Sequence, residues 1–310
     1  MLSPTSRRAA WRRLRLGIPT LLGLRPRGFF IPYRYAADLP PRDPANAYPE
    51  IGEILDRSRP AFAWLLREIE RHSGALRAMR GEPKGMPRWD QDWFPRLDGA
   101  AAYALVRAHK PYRIVEIGSG HSTRFMVRAL RDEGVECRFT AIDPAPRASL
   151  AALGQVRHVP TTLQNLFADD RADGPAGGKA VAAHCLAELE AGDILFVDSS
   201  HILMPGSDVD LIVNRVLPRL PAGVMVHVHD IFLPDGYPEH WAWRGYNEQN
   251  AIATLLASGA YEVLFASHYV STRMPEAFDA EGIAALPLVP GAFESSLWLI
   301  KRVETISAGA

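Results

Sequence analysis

Cysteine is scarce in this 310-residue chain: there are two, Cys137 and Cys185, and neither stands in a CxxC pair. That excludes a disulfide framework and a thiolate zinc site, and makes a reducing, cytoplasmic setting the default expectation. Excess charge is lacking as well. The 35 Lys and Arg residues balance 35 Asp and Glu, so global charge makes no case for nucleic acid as a partner. No apolar run is long enough to span a bilayer. Acids are missing altogether from residues 1–28, MLSPTSRRAAWRRLRLGIPTLLGLRPRG, a stretch crowded with arginine. What remains is ordinary globular composition, 47% hydrophobic and 23% charged, enough for one large domain with additions or two modest ones.

In the basic N-terminus Trp11, Leu14, Ile18, Leu21 and Leu22 recur at spacings of three and four, a helical face. A signal peptide fits poorly, because the apolar part is short, carries Pro19 and runs into RPRGFF. Two readings stay open. One is an amphipathic segment lying on an anionic membrane surface. The other, modestly favoured because Gly17 and Pro19 weaken a long helix, is an arm packed on the main domain or a poorly ordered terminus.

Residues 1–97 read as a basic arm and a helical extension with an aromatic loop, residues 98–310 as the main domain. Ile51–Arg71 has helical spacing with Pro60 as a break or a helix start. Residues 81–99, GEPKGMPRWDQDWFPRLDG, are loop chemistry of unusual aromatic content, and Asp98–His109 is helical again. From Tyr112 short apolar runs alternate with helical patterns. Strands are expected at 112–117, 138–142, 156–161, 193–197 and 223–228, then at 261–267 and 296–301. Helices are expected at 123–133, 180–189, 208–217 and 247–257, and a surface loop at 168–180. Apolar strands alternating with helices predict an α/β, Rossmann-like, doubly wound and mostly parallel seven-stranded sheet. The last two strands have no helical pattern between them, so one is expected to run antiparallel.

The chemistry-bearing pattern begins with VEIGSGHST, residues 115–123. A strand ends at Glu116–Ile117, and Gly118 and Gly120 allow a tight turn into a helix. The second strand ends at Asp143, where an acid can accept hydrogen bonds from a ribose diol. Two further strand ends carry FVDSSH, residues 196–201, and HVHDI, residues 227–231. Ligands sit at the carboxyl edge of a parallel sheet, so Asp198, His229 and Asp230 should converge near the GSG turn.

Over roughly Asp98 to Arg302 this pattern resembles the class I S-adenosylmethionine (SAM)-dependent methyltransferases. The resemblance implies SAM as cofactor, with Gly118, Ser119 and Gly120 against its methionine part and Glu116 orienting that loop within reach of the amino group. It places Asp143 on the ribose hydroxyls and Thr162 and Gln164 near the adenine. The D-x-x-H at Asp198–His201, with a polar pair after the fifth strand, resembles the metal-dependent branch of macrocin- and rhamnosyl-type O-methyltransferases and cephalosporin-hydroxylase-like proteins. That implies Asp198, His229 and Asp230 as ligands of a divalent metal and His201 as general base, with Asp198 beside it. His229 stands where those relatives often have an acid. It loosens the preference for magnesium and leaves manganese, iron or zinc open, or no metal at all.

Substrate contacts are expected from the aromatic loop 232–250, through Trp241, Trp243, Arg244 and Tyr246, with His240 beside them. Trp89 and Trp93 are either a second binding wall or glue between extension and core. His227 reads as a packed histidine and His121 as a helix cap; His158 and His184 read as structural. The leading expectation is an O-methyltransferase acting on a small hydroxylated or glycosyl-type molecule. Alternatives are a metal-independent N-methyltransferase of a small amine, and a non-catalytic, membrane-associated binding protein of the same fold. A peripheral membrane contact through residues 1–28 and a homo-oligomer both remain open.

Overall fold

The computed structural model describes residues 4–39, 43–82, 85–150, 153–168, 185–278 and 282–303. Most of the expected helix at 180–189, most of the expected loop at 168–180, and His184 lie outside the described residues.

The chain opens with α1 (Pro4–Leu21), which carries Pro19 in its last turn. Three short helices follow: α2 (Pro49–Arg57), α3 (Arg59–Arg71) and α4 (Ser73–Ala78). Pro60 sits in the first turn of α3, where its missing N–H would have no partner in any case. In α3 Phe62, Leu65 and Ile69 are spaced by three and four and are fully buried. These residues and the sheet share one hydrophobic core. Then come α5 (Arg96–His109), β1 (Arg113–Ile117), α6 (His121–Glu133), β2 (Arg138–Ile142), β3 (Val156–Val159), α7 (Leu163–Ala168) and β4 (Ile194–Val197). The chain continues through α8 (Asp208–Leu211), β5 (Met225–Val228), α9 (Glu248–Ala257), β6 (Tyr261–Ala266), α10 (Ser267–Arg273) and β7 (Leu297–Lys301).

The strands form a seven-stranded sheet in the order β3-β2-β1-β4-β5-β7-β6. β1 to β5 are parallel, and β7 runs antiparallel to both β5 and β6. This is the expected α/β architecture with its reversed strand. The central strands β4 and β5 are buried at every position, which explains their unbroken apolar sequences.

Two local expectations are corrected. The helix expected over 208–217 is α-helical for only four residues; a π-turn over Ile212–Val216 and a 3-10 turn over Leu217–Arg219 follow, where Pro218 supplies no N–H. The stretch between β6 and β7, expected to lack helix, starts with α10. Its sequence SHYVSTR is poor in helix formers, but Tyr269 and Val270 bury into the core, and that burial outweighs propensity.

Candidate active site

Backbone pairing runs one residue past the strands and aligns their tips. Gly118 donates to the Ile142 carbonyl, Asp143 to Val159, Asp198 to Ile117 and His229 to Val197, at 2.9–3.1 Å. The residues singled out from the sequence are therefore the first ones beyond the ladder, side by side on one sheet edge.

Gly118 has φ +79°, and a Cβ there would lie 1.8 Å from the Asp198 carbonyl oxygen. Only glycine lets the β1 turn pass this close to the β4 end. The next residue closes the turn: Ser119 donates from its N (2.8 Å) and its Oγ (3.2 Å) to Asp143 Oδ2. Beneath the turn Glu116 is fully buried. Ser122 Oγ and Thr123 Oγ1 each donate to one of its oxygens at 2.6 Å, and Gly120 N donates to Thr123 Oγ1 at 3.0 Å. Burial pushes the Glu116 carboxyl up to about 8, against the opposing pull of those two hydroxyls. Glu116 thus orients the loop from below and has both oxygens engaged there.

A cleft of about 560 Å³ opens above this turn, lined by Gly118, Ser119, Asp143, Thr162, Gln164 and Asp198, with Phe29 from the N-terminal arm. A second cleft of about 700 Å³ is lined by His229, Asp230, Trp241, Trp243, Arg244 and Tyr246, with Trp93, Phe293 and, from α1, Arg12 and Leu16. Asp198 and Arg147 line both. Arg244 stacks over Trp241, 3.9 Å from the ring centroid, and Arg12 lies 5.1 Å from that of Trp243. The two loop tryptophans left ambiguous by the sequence separate here. Trp89 is buried against Phe125 with its indole N–H on the Leu76 carbonyl, whereas Trp93 is half exposed in the second cleft.

At the junction of the clefts four carboxylates surround two imidazoles. His201 Nε2 lies 3.4 Å from both Asp198 Oδ1 and Asp230 Oδ2, and His201 Nδ1 lies 2.9 Å from Glu248 Oε2. His229 Nε2 lies 3.2 Å from Asp98 Oδ2, and its Nδ1 is 3.5 and 3.7 Å from Asp230 Oδ1 and Asp198 Oδ1. Burial disfavours charge on both rings, but the carboxylates outweigh it. Asp230, Asp198 and Glu248 raise His201 well above its ordinary value, and Asp198, Asp230 and Asp98 raise His229 to about 9. Burial alone would push Glu248 toward its neutral form; with the imidazole ringed by three acids we place the proton of that pair on His201. Burial likewise raises Asp198, yet the two imidazoliums bring it far below the usual carboxylate range. His201 and Asp230 both hold positive φ, +61° and +57°. Backbone strain of this kind collects where surrounding contacts over-determine a site.

These contacts bear on two expected roles. His201, the expected general base, is 3% exposed, with carboxylates on both nitrogens. Asp198, His229 and Asp230 do come together, and both nitrogens of His229 face carboxylates. Among the described residues no group of three or more His, Cys, Asp or Glu side chains is arranged to hold a metal ion. Asp198 Oδ1 and Asp230 Oδ1 both face His229 Nδ1, while Asp98 holds the other nitrogen of that ring.

Several contributors were not legible as site residues. Asp98 looked like the start of a helix. It is fully buried, accepts from Ser295 N and Ser296 N at 2.9–3.1 Å, and holds His229. Glu248 looked like a first-turn helix acid, and Phe29, Arg12 and Leu16 belonged to the arm. For Arg147 the only signal was its place four residues after Asp143. His227 is scaffold: it stacks on Phe196 with centroids 3.7 Å apart and meets Ser296 Oγ at 2.8 Å.

Residues 115–231 match a family model described as a methyltransferase domain. No curated protein matches the chain. Among solved structures, the chain is similar to the S-adenosylhomocysteine (SAH)-bound methyltransferase PaMTH1 of Podospora anserina, with 18% identity, TM-score 0.40 and coverage of 89% of this chain and 100% of that one. It is also similar to an O-methyltransferase of Bacillus cereus in complex with SAH, at 12% identity and TM-score 0.36 over 87% and 96% of the two chains. A third is the plantazolicin methyltransferase BpumL with a pentazolic desmethylPZN analog and SAH, at 13% identity and TM-score 0.38 over 82% and 99%. Likenesses at these scores carry no argument about what this chain binds.

Proposed function

We propose that the chain is a SAM-dependent methyltransferase that methylates an oxygen of a small molecule. The observation that carries this reading is the meeting of two clefts at Asp198. One has the glycine turn and the Asp143 carboxylate; the other has aromatic and arginine walls. The match of residues 115–231 to a methyltransferase-domain model supports it. SAM, when bound, supplies an electrophilic methyl group on a sulfonium.

In this reading Gly118 and Ser119 border the methionine part, Asp143 accepts from the ribose hydroxyls, and Thr162 and Gln164 border the base. Asp143 Oδ2 already accepts from Ser119 and its Oδ1 from Ala145 N at 2.7 Å, which leaves the remaining lone pairs of the two oxygens for a diol. Trp241, Trp243, Tyr246 and Arg244 hold the acceptor with its nucleophilic oxygen at the junction. The Asp198–Asp230 pair accepts the hydrogen bond of that hydroxyl and would take its proton as a methyl–oxygen bond forms and the methyl–sulfur bond breaks, the electron pair leaving with the neutral thioether. A hydroxyl turns strongly acidic as its oxygen gains a methyl, so a carboxylate of low pKa suffices. His201 and His229 keep the two acids apart in charge and fixed in position. Most of the gain comes from alignment of oxygen, carbon and sulfur.

Calorimetry with SAM, SAH and an unrelated nucleotide tests the first cleft. Binding of SAM and SAH alone is expected; no SAM binding overturns the proposal. Product analysis with isotopically labelled methyl separates O- from N-methylation, and the same assay after thorough chelation decides the metal-assisted version. Turnover is expected to survive chelation.

A further inference from the structure

The large apolar residues on the outward face of α1, with Leu22 just past its end, are at least half exposed. Trp11 is 72% exposed, Leu14 57%, Ile18 50%, Leu21 61% and Leu22 66%. Their spacing of three and four puts them on one face of the helix. The opposite face is already used, since Arg12 and Leu16 line the second cleft. In the segment after the helix Phe30, Ile31 and Tyr33 are also more than half exposed. An exposed apolar stripe along a helix is a common mark of a partner surface.

Charge identifies the partner. Residues 1–28 hold seven arginines and no acid, and the first acid of the chain is Asp38. Arg7 and Arg15 are exposed; by helical spacing Arg7 continues the apolar stripe at its N-terminal end, four residues before Trp11, and Arg15 borders it. A second copy docking on this face would bring its own arginines against these. An anionic lipid surface would neutralise them while its acyl boundary takes up the apolar side chains. No described helix is long and apolar enough to cross a membrane. We propose that α1 and the segment following it dock this chain, peripherally, on an anionic bilayer surface.

The test is flotation of the full chain with phosphatidylglycerol-containing vesicles and with pure phosphatidylcholine vesicles, at low and high salt. Co-flotation with the anionic vesicles only, weakened by salt, is expected. Leu14→Glu with Ile18→Glu should abolish it, and Arg7→Gln with Arg15→Gln should weaken it roughly thirty-fold. Neither pair belongs to the clefts, so thermal melting should stay unchanged. If the first pair disturbs melting, the arginine pair decides. Equal binding to neutral vesicles, no binding at all, or a dimer in light scattering that Leu14→Glu with Ile18→Glu dissociates would overturn the proposal. None of these readouts requires SAM binding or methyl transfer, so the functional reading stands or falls separately.

Discussion

Replacing Gly118 by alanine perturbs the point where fold and site meet. The new Cβ would lie 1.8 Å from the Asp198 carbonyl oxygen, against the 3.0 Å below which real Cβ contacts essentially never occur. The obstacle is backbone, so no side chain can swing away. β1 and β4, paired from Ile114↔Ile194 to Ile117↔Val197, must part at their tips by roughly 1 Å, an overpacking cost of about 1–3 kcal/mol. Holding alanine at φ +79° adds about 1–2 kcal/mol. A loss of about 2–5 kcal/mol is therefore expected, a large part of the ~5–15 kcal/mol that holds a domain. The shift also drags Asp198 from the junction, so SAH binding should vanish even in the folded fraction. The control is Gly120→Ala, where an added Cβ meets nothing within 4 Å; its stability should change by less than about 1 kcal/mol. Denaturant unfolding and SAH calorimetry on both variants read the two effects. A Gly118→Ala protein of wild-type stability that binds SAH normally would refute the reasoning.

Asp98→Ala leaves two buried backbone N–H groups and the His229 edge unpaired, so unfolding should need about 3–5 kcal/mol less. Asp98→Asn, which keeps an acceptor but not the charge, should cost less; equal costs would argue against the two backbone hydrogen bonds as a main part of its contribution. Because the folded-state pKa of His229 is raised to about 9, its contribution is fully present below the ordinary value of ~6.5 and is lost as pH rises through 9. Stability measured across that window should fall in the wild type and fall less in His229→Gln; parallel curves would contradict the assignment. Trp241→Ala removes the ring under Arg244, so acceptor KM should rise while SAH affinity holds. Unchanged kinetics would take that loop out of the acceptor cleft.

What could be read from the sequence is what depends on local pattern. The apolar runs at 113–117, 138–142 and 194–197 with helical stretches between them specify a parallel sheet, because burial on both faces demands continuous hydrophobicity. Parallel strands share a direction, so their last residues share an edge, and Gly118, Asp143, Asp198 and Asp230 could be nominated together for that reason. The failures have a common cause. α10 and the broken segment 208–219 depend on packing and on hydrogen-bond geometry that propensity does not encode.

Tertiary structure alone decided the chemistry of the junction. Asp98 and Glu248 reach His229 and His201 across 131 and 47 residues of sequence, and no local pattern announces such a contact. With those acids in place both histidines are pushed toward their charged forms. The same holds for the arm, whose amphipathic face was visible at once. Which side of α1 meets the protein and which meets solvent depends on where the sheet edge and the aromatic loop come to rest, and only the folded chain sets that distance.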